Sequence, residues 1–315
     1  MPLLTGTRTG PGTGIPLPGV GFATASFTDP SGTVWPLTDE ASGWFTLSDG
    51  VSGLDVTPYE LTKDSYPRGG SRLRHRQPAE RTIIWPLHVY GDTHLQFLGR
   101  WRDLGTAFAA TLHDGPGWLE IARPDGTRRR IQVIYQDGFE GRAQQGTGII
   151  SDTAILALYC QDPYWLDPVP VTEHRSYGLG VDFLNPFPSV SSGRVLGETT
   201  LLNTGSVEAW PTWTITGPAT LVTITNQDTG EAFVLDPDAD GIGHGPLLAG
   251  EQVVVTTDPP RVRGPLGETW TGALNWPGAV LWSLRRGVNR VNFQLDGAAE
   301  GSAVDVSFNA RYEMA

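Results

Sequence analysis

Cysteine is all but missing from this chain: Cys160 is the one thiol in 315 residues. A lone cysteine forms no internal disulfide, and no second thiol exists to share a zinc ion or an iron–sulfur cluster. Lysine is equally scarce, with Lys63 alone beside the arginines. A GC-rich genome produces the same bias, so it carries little functional weight. No run approaches the roughly 18 consecutive apolar residues that a membrane-spanning helix needs. The opening MPLLTGTRTGPGTGIPLPG lacks the charged segment and long apolar run of a secretory signal. The expectation is a chain made in the cytosol and not inserted in a membrane. Basic charge is in deficit as well, and a net charge of −12 argues against nucleic acid as a specific partner.

Catalytic spacings are absent too. The six histidines show no H-x-x-H or H-E-x-x-H pattern. There is no G-x-S-x-G elbow, and GPGTG at Gly10–Gly14 lacks the lysine and preceding strand of a phosphate loop. Adjacent acids such as Asp39 and Glu40 point to opposite faces of a strand. With no nucleophile–base pair and no cofactor motif, the chain is expected not to be an enzyme.

What is abundant is glycine and proline, 40 and 25 residues, scattered between short runs of alternating polarity. Such runs, punctuated by turn residues, read as strands. The fold class is therefore mostly β. The length exceeds a usual single core, so two domains are expected. Residues 1–168 carry 14 basic and 18 acidic side chains, and residues 169–315 carry 8 and 16. The second part is the more acidic, −8 against −4.

Residues 1–20, rich in glycine, proline and threonine, read as an extended arm. From Phe22 to Tyr66 come short strand-like pieces: GFATASF, TVWPL, GWFTL and GLDVTPYEL. A basic stretch, residues 63–81, carries six Lys or Arg against Asp64 and Glu80. In RTIIWPLHVYG, Ile83, Trp85, Leu87 and Val89 share one face of a strand. One helix is expected at about 93–110, capped by Asp92 or Thr93, with an apolar stripe of Leu95, Leu98, Trp101, Leu104 and Phe108. A hairpin turns at Pro124–Gly126, and a long strand, Thr153–Tyr159, follows it. Beyond Pro170 the reading is all β: ETTLLN, WPTWTITG, TLVTIT, EAFVLD, EQVVVTT, VLWSL, VNRVNFQLDG and SAVDVSFNARYE form a sandwich. The last of these alternates through Val304, Val306, Phe308, Ala310 and Tyr312.

Three segments carry a family likeness. ILALYCQDPYW, the closing LWSLRRGVNRVNFQLDGAAEGSAVDVSFNARYE, and YPRGG ahead of RTI resemble the distal tail proteins of long-tailed phages. The resemblance runs from about Phe22 to Met314. It implies a tail-tube-like, ring-forming β-barrel domain with one helix (21–168) joined to a galectin-like β-sandwich (169–315). It further implies a homo-hexameric ring at the virion tail tip, bound to the tail tube protein, to a tip hub protein and to receptor-binding proteins. The arm 1–20 has no counterpart in that family's core.

Four sets of residues are candidate sites. Cys160, Pro163, Tyr164 and Trp165 read as an interdomain joint: proline ends the ladder, and the aromatics wedge between the domains. Cys160 itself reads as a small buried hydrophobe, since no histidine lies near it and Asp162 and Asp167 disfavour a thiolate. Asp236, Asp238 and Asp240, followed by Gly241, match the first half of a calcium loop, but Leu247 stands where such a loop needs a glutamate. Arg68, Arg72, Arg74, Arg76 and Arg81 form a basic loop suited to steering assembly against an acidic neighbour. Trp210, Trp213, Trp270, Trp276 and Trp282 raise a sugar-binding alternative, a module contacting the host envelope. The galectin motif is absent, because FLNPF has neither the histidine nor the arginine, so core packing is the better reading.

Overall fold

A computed structural model describes residues 23–47, 49–141, 148–178 and 195–315. The expected arm, 1–20, lies outside the described residues. The chain divides into two compact units. One comprises the described residues up to Pro168 together with Tyr312–Ala315, and the other is Val169–Arg311. The second segment thus stops four residues short of the expected 315, because the chain returns to its first unit.

The first unit is built on a nine-stranded antiparallel sheet curled into a half-barrel. Its strands are β1 (Thr24–Thr28), β2 (Val34–Pro36), β3 (Trp44–Thr46), β6 (Arg81–Tyr90), β7 (Gly117–Ala122), β8 (Arg128–Asp137), β9 (Ser151–Cys160), β10 (Trp165–Leu166) and β20 (Arg311–Tyr312). The order is β2-β1-β7-β8-β9-β6-β3, with β10 pairing β8 and β20. A separate two-stranded hairpin joins β4 (Tyr59–Ser65) to β5 (Ser71–Pro78). The period of two does what the sequence requires of it: Ile83, Trp85, Leu87 and Val89 on β6 and Ala154, Leu156 and Leu158 on β9 all point into one core.

Among the described residues the ladder does not close on itself, and side chains join its two ends. Trp44 on β3 donates its indole N–H to the carbonyl of Pro36 on β2 at 2.7 Å. The two edge strands have three residues each, so few ladder bonds are available there.

Helix α1 (His94–Ala109) supplies the other side of the core. Thr93 caps it, accepting from the Gln96 N–H at 3.2 Å. Its buried face is Phe97, Trp101, Leu104, Ala107 and Phe108. The expected stripe is corrected at one end: Leu95 is 79% exposed. At about 100° per residue it lies some 160° away from Phe97, the residue that takes the inward position. Phe108 stacks on Phe27 of β1, with centroids 4.1 Å apart and planes 13° from parallel.

The second unit is a sandwich of two antiparallel sheets. One has the order β11-β19-β13-β16-β17, from β11 (Val171–Ser176), β13 (Thr212–Thr216), β16 (Gln252–Thr257), β17 (Pro260–Arg263) and β19 (Ala303–Phe308). The other runs β12-β18-β14-β15, from β12 (Val195–Asn203), β14 (Leu221–Asn226), β15 (Ala232–Leu235) and β18 (Gly287–Asp296). Their inner faces meet in one core around Trp213, Ile215, Ile224, Phe233, Val255, Phe293 and Val306. Two expectations are corrected. VLWSL is no strand: only Leu284 bridges, to Ala209, while Trp282 fills the core. Tyr312 leaves the period of β19, which ends at Phe308.

Edge strand β15 is sheltered by the chain itself. Asn275 and Val280 donate their N–H groups to Val234 and Ala232, and the Asn275 side-chain oxygen accepts from Val234. This blocks sheet growth on that side.

Candidate assembly interface

The β4–β5 hairpin is exposed along its whole length, on both faces. Its strands pair with each other and with no other described strand. A lone two-stranded ribbon is marginal in water and gains stability from a surface to lie on. Register explains its two faces. Tyr59, Leu61 and Lys63 stand opposite Pro78, Arg76 and Leu73, while Glu60, Thr62 and Asp64 stand opposite Gln77, His75 and Arg72. A bulge after Thr62 makes room for Arg74, which turns to Asp64 at 2.8 Å. Both partners are at least half exposed, so that pair contributes less than about 1 kcal/mol.

The tip is a tight turn, in which the Tyr66 N–H donates to the Gly70 carbonyl at 3.0 Å. Gly69 and Gly70 have φ of 92° and 84°, a region in which a Cβ is strained. Arg68 lies in this turn, and Arg72, Arg74 and Arg76 follow it on β5. The side chains of Leu61, Tyr66 and Leu73 are about half exposed among them. The ribbon therefore offers a partner both positive charge and apolar area.

Arg81 does not belong with the other arginines, and this corrects the basic-loop grouping. It is 2% exposed, at the start of β6. Its guanidinium donates to the carbonyls of Pro163 (2.8 Å), Gly53 (2.7 Å), Asp55 (2.6 Å) and Glu313 (2.7 Å), and to the Thr57 hydroxyl (3.0 Å). Burial draws its pKa down, and the nearby Cys160, Asp55 and Glu313 oppose that shift. Arginine suits the place because its fork of donors satisfies several acceptors at once.

The joint residues converge on the same point. Cys160 faces Arg81 across the β6–β9 ladder, Pro163 supplies a carbonyl, and the Tyr164 hydroxyl lies 3.3 Å from that of Tyr59. Trp165 is fully buried in the core of the first unit, so it does not wedge between domains. Burial pushes the Cys160 thiol up to about 12, outweighing the lowering effect of Arg81, while Asp162 adds to the rise.

The remaining candidates stay apart. The Asp236 carboxylate accepts the Asp238 N–H at 2.9 Å, closing a turn. No group of three or more His, Cys, Asp or Glu side chains converges among the described residues. Trp213, Trp270 and Trp282 are core residues, and Trp210 is half-buried. Trp276 alone of the five is exposed, with its indole N–H bonded to the Thr271 carbonyl at 2.8 Å.

Sequence reasoning missed the seat of the last residues. Arg129 covers the Tyr312 ring at 3.8 Å, and Arg123 reaches the Ala315 carbonyl at 3.1 Å. The signal was the end of strict alternation after Ala310, which a period-of-two reading carries past.

No protein-family model and no curated protein matches the sequence. Solved structures do. The chain aligns with the SPP1 Dit protein, described as a paradigm of the hub adsorption apparatus in phages infecting Gram-positive bacteria. The TM-score is 0.61 at 18% identity, over 92% of this chain and 98% of that one. It also aligns with a chain of the phage P2 baseplate in its activated conformation with calcium, at TM-score 0.55 and 10% identity, over 93% and 99% of the two chains. A strontium form of that baseplate gives the same score and identity. The likeness spans nearly the whole of both chains, and in architecture this chain has the fold of phage hub and baseplate proteins.

Proposed function

We propose that this chain is a structural virion protein, a distal tail protein. Its copies form a six-membered ring at the tail tip, joining the tail tube to the host-recognition apparatus. The observation that carries this reading is the end-to-end likeness to hub and baseplate chains, together with a basic, half-apolar hairpin on a chain of net charge −12. A positive ribbon on an acidic molecule finds its complement on a second copy of the same molecule, and repetition of one such contact around an axis closes a ring. The first unit builds the ring and meets the tube. The galectin-like second unit is a platform for the tip hub and receptor-binding proteins. No catalytic residue, cofactor, nucleic-acid contact or membrane insertion is needed.

The test is the mass of the purified chain and its location in the virion. Mass photometry is expected to find a species of six copies, and gold-labelled antibody to mark the tail tip. Replacing Arg72 and Arg76 by glutamate is expected to abolish that species while shifting monomer stability by no more than about 0.5 kcal/mol. A strictly monomeric wild type, absent from virions, defeats the reading. The carbohydrate-binding alternative rests on one exposed indole, Trp276. Glycan-array binding that disappears in Trp276→Ala would favour it.

A further inference from the structure

The chain leaves its first unit after Pro168 and returns at Tyr312, so the second unit is an insertion with two attachments. The returning segment is held by the pairing of β20 with β10 and by side chains. Arg129 of β8 lies over the Tyr312 ring, its guanidinium carbon 3.8 Å from the centroid, and also donates to the Met314 carbonyl. Arg81 of β6 donates to the Glu313 carbonyl at 2.7 Å. Arg123, after β7, donates to the Ala315 carbonyl at 3.1 Å, and the Ala315 N–H donates to the Leu54 carbonyl at 2.9 Å. The Tyr59 hydroxyl donates to the Glu313 carboxylate at 3.3 Å.

Three successive carbonyls thus meet three different arginines, each from a different stretch of the fold, and the aromatic ring is covered by one of them. Charge-assisted hydrogen bonds from converging guanidinium groups to main-chain oxygens, with a cation over an aromatic ring, are contacts able to hold a short peptide segment. The same Arg81 that reads Glu313 holds Gly53, Asp55 and Thr57, the residues that lead into β4. Tyr59, which touches the Glu313 carboxylate, is the first residue of β4. The site and the foot of the hairpin share their atoms.

We propose that this is a clasp: a peptide-binding site on the first unit, filled in cis by Tyr312–Ala315, whose filling orders the foot of the β4–β5 hairpin. Emptying it removes one acceptor from a buried guanidinium and one from Tyr59, so residues 53–59 loosen while the distant core keeps its packing. The clasp stands apart from the tail-hub reading.

The experiment compares the full chain with a chain ended at Arg311, by amide hydrogen exchange, with and without a synthetic peptide of residues 309–315. Truncation is expected to speed exchange at 53–61 about tenfold or more, with α1 and the second unit unchanged. Excess peptide is expected to restore protection. In the full chain, Arg129→Gln is expected to give a smaller rise at the same amides. Unchanged exchange at 53–61, faster exchange everywhere, or no rescue by the peptide at millimolar concentration would each overturn the clasp. A full chain that never forms a ring defeats the tail-hub reading instead, and the exchange data still decide this one.

Discussion

The indole N–H of Trp85 donates to the hydroxyl of Thr46 at 2.8 Å, and that hydroxyl donates in turn to the carbonyl of Leu37 at 2.8 Å. Both side chains are buried. The relay ties β6, β3 and the end of β2 together where the ladder itself does not close. Thr46→Val keeps the shape and removes both bonds, leaving the Trp85 N–H without its partner. The expected cost is about 1–3 kcal/mol, read as an earlier first-unit transition in calorimetry, with the second-unit transition unmoved.

Trp213 sits at the centre of the sandwich core, edge-on to Trp282 at 5.1 Å and to Phe293 at 5.9 Å. Truncation to alanine opens a cavity that the surrounding sheets cannot collapse to fill. Trp213→Ala is expected to destabilise the second unit by about 3–5 kcal/mol, measured by urea unfolding followed by circular dichroism.

Cys160 is buried and its thiol is raised to about 12, so almost no thiolate exists at neutral pH. Native protein is expected to leave maleimide unreacted for hours at pH 7.5, whereas denaturant exposes the thiol and labels it within minutes. Rapid native labelling would contradict the burial of the β9 end.

His88, half-buried and with its Nδ1 2.9 Å from the Thr153 hydroxyl, is held below its ordinary 6.5 by burial, against an opposing pull from Asp152. The unfolded chain therefore binds a proton more readily than the folded one. Its contribution to stability is present above about pH 6.5 and is lost as pH falls through the lower folded value. His88→Asn is expected to flatten the pH dependence of stability in that acid window and to leave the slope near pH 8 unchanged.

The sequence alone determined the local elements. Alternation set which face of β6, β9 and β18 is buried, because a strand has no other way to place every second side chain. Thr93 and the spacing of Trp101, Leu104 and Phe108 set the helix. The Pro124–Gly126 turn set the β7–β8 hairpin. A one-dimensional pattern reports faces and ends, and these are its kind of fact.

Tertiary structure decided which partners those elements meet. Arg81 reads as one more charge in a basic run until Gly53, Pro163 and Glu313 are brought around it from 28, 82 and 232 residues away. Tyr312 continues an alternation on paper, yet Arg129 takes it back into the first unit. Trp165 and Trp276 are the same residue type, one sealed in a core and the other open to solvent. Contacts between residues far apart in the chain leave no period behind them, so only the folded arrangement reveals them.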